Sequence, residues 1–107
     1  MSSPAPESRE QIADAVVRCI DAKDLRKALA ICQRLNQQHA DYAYGWYLAS
    51  FLMQKVPHYP DAIRAIDQAL QLASLDKYQL HKIRCHFEAN DLAGAIGFYG
   101  RPGLGRD

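Results

Sequence analysis

Three features of this 107-residue chain predict an all-α fold built from antiparallel helix hairpins. Apolar residues recur at the helical period of 3.6 in five to six segments. No stretch alternates with period two for long enough to make a strand. The pattern of helix pairs also returns at spacings of 34 and then 33 residues, as stacked hairpins require.

Residues 1–7 (MSSPAPE) have no apolar anchor and are expected to form a disordered lead-in to a helical domain over 8–100. Ser8 and Gln11 have the spacing of a capping box, in which each side chain satisfies a backbone N–H at a helix start. Ile12, Ala15, Val16, Cys19 and Ile20 then share one face. Asp24 is a good cap for a second helix, with Leu25, Ala28, Leu29, Ile31, Cys32 and Leu35 turned inward. Asp41 is expected to cap a third helix carrying Tyr42, Trp46, Ala49, Leu52 and Met53. Gly45 inside that helix costs up to about 1 kcal/mol relative to alanine, which points to a packing demand. Pro60 suits the first turn of a fourth helix, where its missing N–H is harmless. Ala62, Ile63, Ala65, Ile66, Ala69, Leu70 and Leu72 follow. Ser74 is expected to cap a fifth helix with Leu75, Tyr78, Leu80, Ile83 and Phe87 inward. A turn at Asn90-Asp91 should lead to a short sixth segment, Leu92 to Tyr99, and 101–107 reads as a flexible tail.

Thirteen basic and twelve acidic residues leave a net charge of +1. No Lys/Arg run concentrates positive charge, so neither nucleic acid nor a membrane surface is an expected partner. No stretch approaches the roughly 20 apolar residues that span a bilayer. The three cysteines, Cys19, Cys32 and Cys85, are odd in number and lack CxxC spacing. Dispersed thiols of this kind suit a reducing compartment, and MSSPAPESRE has no signal-peptide core, so a cytoplasmic location is expected. A 107-residue chain buries roughly 65% of its unfolded surface, enough for one stable domain.

The repeat can be followed residue by residue. Leu25-x2-Ala28 returns as Tyr59-x2-Ala62 and again as Leu92-x2-Ala95, with Cys32, Ile66 and Tyr99 four residues after each alanine. Ile12 and Trp46, Ala15 and Ala49, and Cys19 and Met53 pair across the first helices, and Leu80, Ile83 and Phe87 extend the series. Helices of a hairpin cross closely only where a side chain is small, as at Ala28, Ala62 and Ala69. This pattern resembles the tetratricopeptide repeat over roughly residues 9–99. Trp46 stands at that family's aromatic position and Tyr59 at its turn aromatic, with Ala62, Ile66 and Ala69 down the second helix. The usual Leu-Gly pair is replaced by Ala49-Ser50, and in the third unit Ala95 falls one residue early.

The resemblance implies a concave groove lined by the first helix of each unit, holding a protein partner as an extended peptide or a helix. The groove positions are Ala13 and Val17 in the first unit and Tyr44, Tyr47, Leu48 and Phe51 in the second. The third supplies Lys77 or Tyr78, with His81, Lys82 and, more marginally, Cys85. Tyr44, Tyr47, Leu48, Phe51, Lys77, His81 and Lys82 are therefore the expected partner-binding set. One subclass of the family clamps a chaperone's C-terminal carboxylate. Three of the clamp positions here are Ala13, Val17 and Leu48, so binding of that kind is not expected.

No phosphate loop, nucleophile elbow or HExxH motif is present, and no cofactor, metal or enzymatic activity is expected. His81 and Cys85 share a helix face but make only two of the roughly four ligands that zinc requires. The function expected is that of a protein-interaction scaffold or adaptor. Two alternatives stand beside it. One is a docking region of a larger enzyme such as a transferase. The other is a structural protein that forms a homodimer through its C-terminal helices.

Overall fold

The structure, a computed structural model, describes residues 8–100, with side chains over 8–90. The expected lead-in and tail lie outside the described residues. Five helices follow one another: α1 Arg9–Asp21, α2 Leu25–Gln38, α3 Ala43–Lys55, α4 Tyr59–Leu72 and α5 Asp76–Gly100. There is no strand among the described residues. Helices α1 and α2 form one hairpin and α3 and α4 a second. Helix α3 packs on α2 and α1, and α5 lies against α4 and α3.

Local chemistry sets the first two helix starts. Ser8 and Gln11 make the capping box in both directions, at 3.1 and 2.8 Å. Asp24 accepts from the Lys27 N–H at 3.2 Å. Between these helices, Lys23 takes φ 65°. The Lys23 N–H reaches the Ile20 carbonyl and the Asp24 N–H that of Cys19, each at 2.9 Å, the paired bonds of a Schellman turn. Asp41 does not cap α3. Tyr42 holds that position without a side-chain bond, and Asp41 lies 4.0 Å from the Arg9 guanidinium. Pro60 stands in the first turn of α4 as expected. Because α5 begins at Asp76, Ser74 lies one residue before the place from which it could cap.

The main core joins both hairpins: Ile12, Ala13 and Val16 of α1, Ala28, Cys32 and Leu35 of α2, and Leu48 and Leu52 of α3. Gly45 is where α2 and α3 approach closely. A methyl group there would stand 2.6 Å from Asn36 Oδ1 and 3.2 Å from the Leu35 side chain, and the Cys32 thiol donates to the Gly45 carbonyl at 3.4 Å. A second cluster, Ile66, Ala69 and Tyr78 with Trp46 and Tyr47 beside it, ties α4 and α5 to α3.

Two further expectations need correction. The Asn90-Asp91 turn does not form, because α5 continues through it to Gly100. Leu75, Leu80, Ile83 and Phe87 do not face inward but are exposed; Tyr78 is buried as expected, and His81 and Cys85 are buried with it. Because α5 does not turn back, no described residue covers the exposed set. No helix among the described residues is long and apolar enough to cross a membrane.

Candidate interaction surface

Helix α3 places Tyr44, Tyr47 and Phe51 at spacings of three and four, on the face that looks toward α5. Their rings join a continuous aromatic track. Tyr42 meets Tyr44 edge-on at 6.1 Å, Tyr44 stacks on Tyr47 at 6.0 Å, and Tyr47 stacks on Tyr78 at 5.0 Å. His81 extends the track, 5.3 Å from Tyr47 and 6.5 Å from Phe51. Tyr42, Tyr44, Tyr47 and Phe51 are each partly exposed, whereas Tyr78 and His81 are buried. Burial raises the hydroxyl pKa values of Tyr42, Tyr44 and Tyr78.

Cations lie over these rings. Lys77 Nζ is 5.3, 5.5 and 5.7 Å from the ring centres of Tyr44, Tyr47 and Tyr78. Lys55 Nζ is 5.0 Å from Phe51, and the Arg9 guanidinium is 4.7 Å from Tyr42. At exposed sites each such contact is worth about 0.5–1 kcal/mol. Arg9 also pairs with Glu10 at 3.4 Å. Lys55 and Lys77 have no carboxylate within 4.0 Å among the described residues.

The expected binding set therefore divides. Tyr44, Tyr47, Phe51 and Lys77 come together with surface to offer. Leu48 is buried in the main core and presents none. His81 is buried beneath Tyr47, its ring occupied by the fold. Lys82 turns to α4, where it pairs with Asp67 at 2.7 Å. Ala13, carried to the groove by the resemblance, is likewise core. Tyr42, Arg9 and Lys55 were not in the set. Their part depends on tertiary placement, which helical spacing within one element does not reveal.

Beneath the track lies a buried polar cluster. Ser50 Oγ donates to the Ala62 carbonyl at 2.6 Å and stands 2.9 Å from His81 Nε2. Cys85 Sγ is 3.4 Å from the same nitrogen and 4.0 Å from Ser50 Oγ. Since the serine has one proton and it is committed to Ala62, His81 Nε2 must carry a hydrogen and donate to Ser50. Burial lowers the His81 pKa, with Arg84 lowering it further, while the Ser50 bond and Glu88 oppose the shift. Burial also pushes the Cys85 thiol up, and it pushes the Cys32 thiol up to about 12. A fully buried hydroxyl whose proton is spoken for, beside a protonated thiol, is not an activated nucleophile. The cluster acts as a latch that ties α5 to α3 and α4. No group of three His, Cys, Asp or Glu among the described residues is placed to hold a metal ion.

On another side, α2, α3 and α4 enclose an open cleft of about 590 Å³, lined by Asn36, Trp46, Met53, Arg64 and Gln68 among others. Trp46, expected in the buried stripe, is only partly covered there. Its indole N–H donates to the Ala40 carbonyl at 2.8 Å. Arg64 is held by Asp61 in the preceding turn. No protein-family model matches the chain, and no curated protein matches it.

Proposed function

We propose that this chain is a protein-interaction module made of tetratricopeptide-like hairpins, which receives a peptide segment or partner helix against the aromatic face between α3 and α5. The observation that carries this reading is the tyrosine track with Lys77 over it. Flat, partly exposed rings give large contact area at little entropic cost, and they dominate the energetics of protein interfaces. Lys55 and Lys77 are cations without carboxylate partners among the described residues, so the matching segment carries apolar side chains with an acidic residue between or beside them.

A displayed random-peptide library panned on the purified chain tests this. Tyr44→Ala, Phe51→Ala and Lys77→Ala should each weaken the selected peptides about tenfold or more, a loss of roughly 1.4 kcal/mol. Circular dichroism should remain unchanged. Tyr47 is a poor probe, because its stack on Tyr78 and His81 also holds α5 in place. Peptides that ignore these three substitutions but lose affinity on Gln68→Ala would move the site to the cleft and overturn the reading.

A further inference from the structure

Helix α5 has two faces with the same spacing, and only one is covered. Tyr78, His81 and Cys85 are 3%, 5% and 0% exposed against α3 and α4. Leu80, Ile83 and Phe87 are 64%, 63% and 65% exposed. Single exposed apolar residues are ordinary, but three large ones in a row on one helix face form a patch of the kind that marks an interface. The helix cannot cover this stripe itself, because it runs on without reversal to Gly100.

That continuation indicates what can. On an unbroken helix, positions 94 and 98 fall on the same face as 80, 83 and 87, in the alternation of threes and fours that makes a helix-pairing seam. They are Gly94 and Phe98. Lay two such helices antiparallel, crossing near residues 90 and 91. Position 87 of one then falls opposite position 94 of the other, and position 83 opposite position 98. A large side chain opposite a residue with none allows the close approach that packed helices need. Polar Asn90 and Asp91 fall at the crossing, where the pair is centred.

We propose that two copies of this chain pair through α5, the half of each helix beyond Asn90 covering Ile83 and Phe87 of the other's stripe. The arrangement is two-fold and closed, so it ends at a dimer and does not propagate. It leaves the face holding Tyr78, His81 and Cys85 packed on α3 and α4 as described, and the aromatic track open to a partner.

The contact joins two different positions, 83 and 98, so complementary variants of the full chain test it. Ile83→Lys alone and Phe98→Glu alone should each reduce the mass found by light scattering from two chains to one, with helicity retained. Mixed in equal amounts they should regain the two-chain mass, because lysine then faces glutamate across one contact and the native pair remains at the other. A wild-type chain that stays monomeric at high concentration overturns the proposal. So does a mixture that does not recover, which would be expected if the stripes met each other directly.

Discussion

Trp46, Ala49 and Met53 on α3 and Leu80, Ile83 and Phe87 on α5 stand at matching positions of the repeat, and the fold treats them differently. The first three are partly covered, since α4 returns alongside them; the second three lie open. The cause lies at the end of each helix. Pro57 follows α3 and has no N–H to continue it, and the His58 N–H closes on the Met53 carbonyl at 2.7 Å. The residue at the matching position within α5 is Asp91, which has both an N–H and freedom to stay helical. The ladder therefore continues where the third hairpin should turn. A repeat period shows which residues share a face, whereas a stop signal determines whether a neighbour arrives to cover it.

The comparison predicts unequal costs for similar truncations. Leu52 is fully buried among Ile12, Val16, Leu35 and Leu48, so Leu52→Ala should remove about 2–5 kcal/mol. Ile83→Ala in dilute solution should change stability by no more than about 0.5 kcal/mol, as at other open surface positions. Urea denaturation of the two variants decides the matter. An equal loss for both would mean that the outer face of α5 is covered within a single chain.

A smaller effect sharpens the contrast between the two faces of α5. His81 holds its neutral form in the fold because burial depresses its pKa. Below the ordinary histidine value of about 6.5, the unfolded chain takes up the proton more readily than the folded one. Stability should therefore fall as pH drops through that value, and level off only once the folded form also binds the proton. His81→Gln should flatten this slope in thermal melts recorded across the range. An unchanged slope would leave the latch without a titrating member.

Much of the fold was legible because its signals are local. The capping box at Ser8 and Gln11, the cap at Asp24, Pro60 in the first turn of α4 and the packing demand at Gly45 each involve neighbours in sequence or a single steric fact. The face of α5 was not legible in the same way. Leu80/Ile83/Phe87 and Tyr78/His81/Cys85 have identical periods, and apolarity favours the former. The latter is buried because Tyr47 stacks on Tyr78 and Ser50 bonds to His81, both reached from a helix more than thirty residues away in the chain. The candidate site shows the same limit. Tyr44, Tyr47 and Phe51 share a face by spacing alone, but the burial of Leu48 and the turning of Lys82 toward Asp67 follow from how the hairpins stack.

Another small predicted effect concerns how a hairpin closes at all. Between α1 and α2 the chain reverses through Lys23 at φ 65°, a conformation that costs an L-residue roughly 1–2 kcal/mol and glycine almost nothing. Two backbone bonds, to Ile20 and Cys19, hold it there. The Lys23 side chain is exposed, so its loss removes no core contact. Lys23→Gly should therefore stabilise the protein by about 0.5–1 kcal/mol, the relief of strain less the greater entropy of glycine in the unfolded chain. Thermal or urea unfolding measures it. A loss of stability would mean that the lysine side chain makes a contact outweighing its backbone strain. Reversal would then rest on side-chain anchoring, and the stop-signal account of why α5 runs on past Asp91 would lose its nearest parallel.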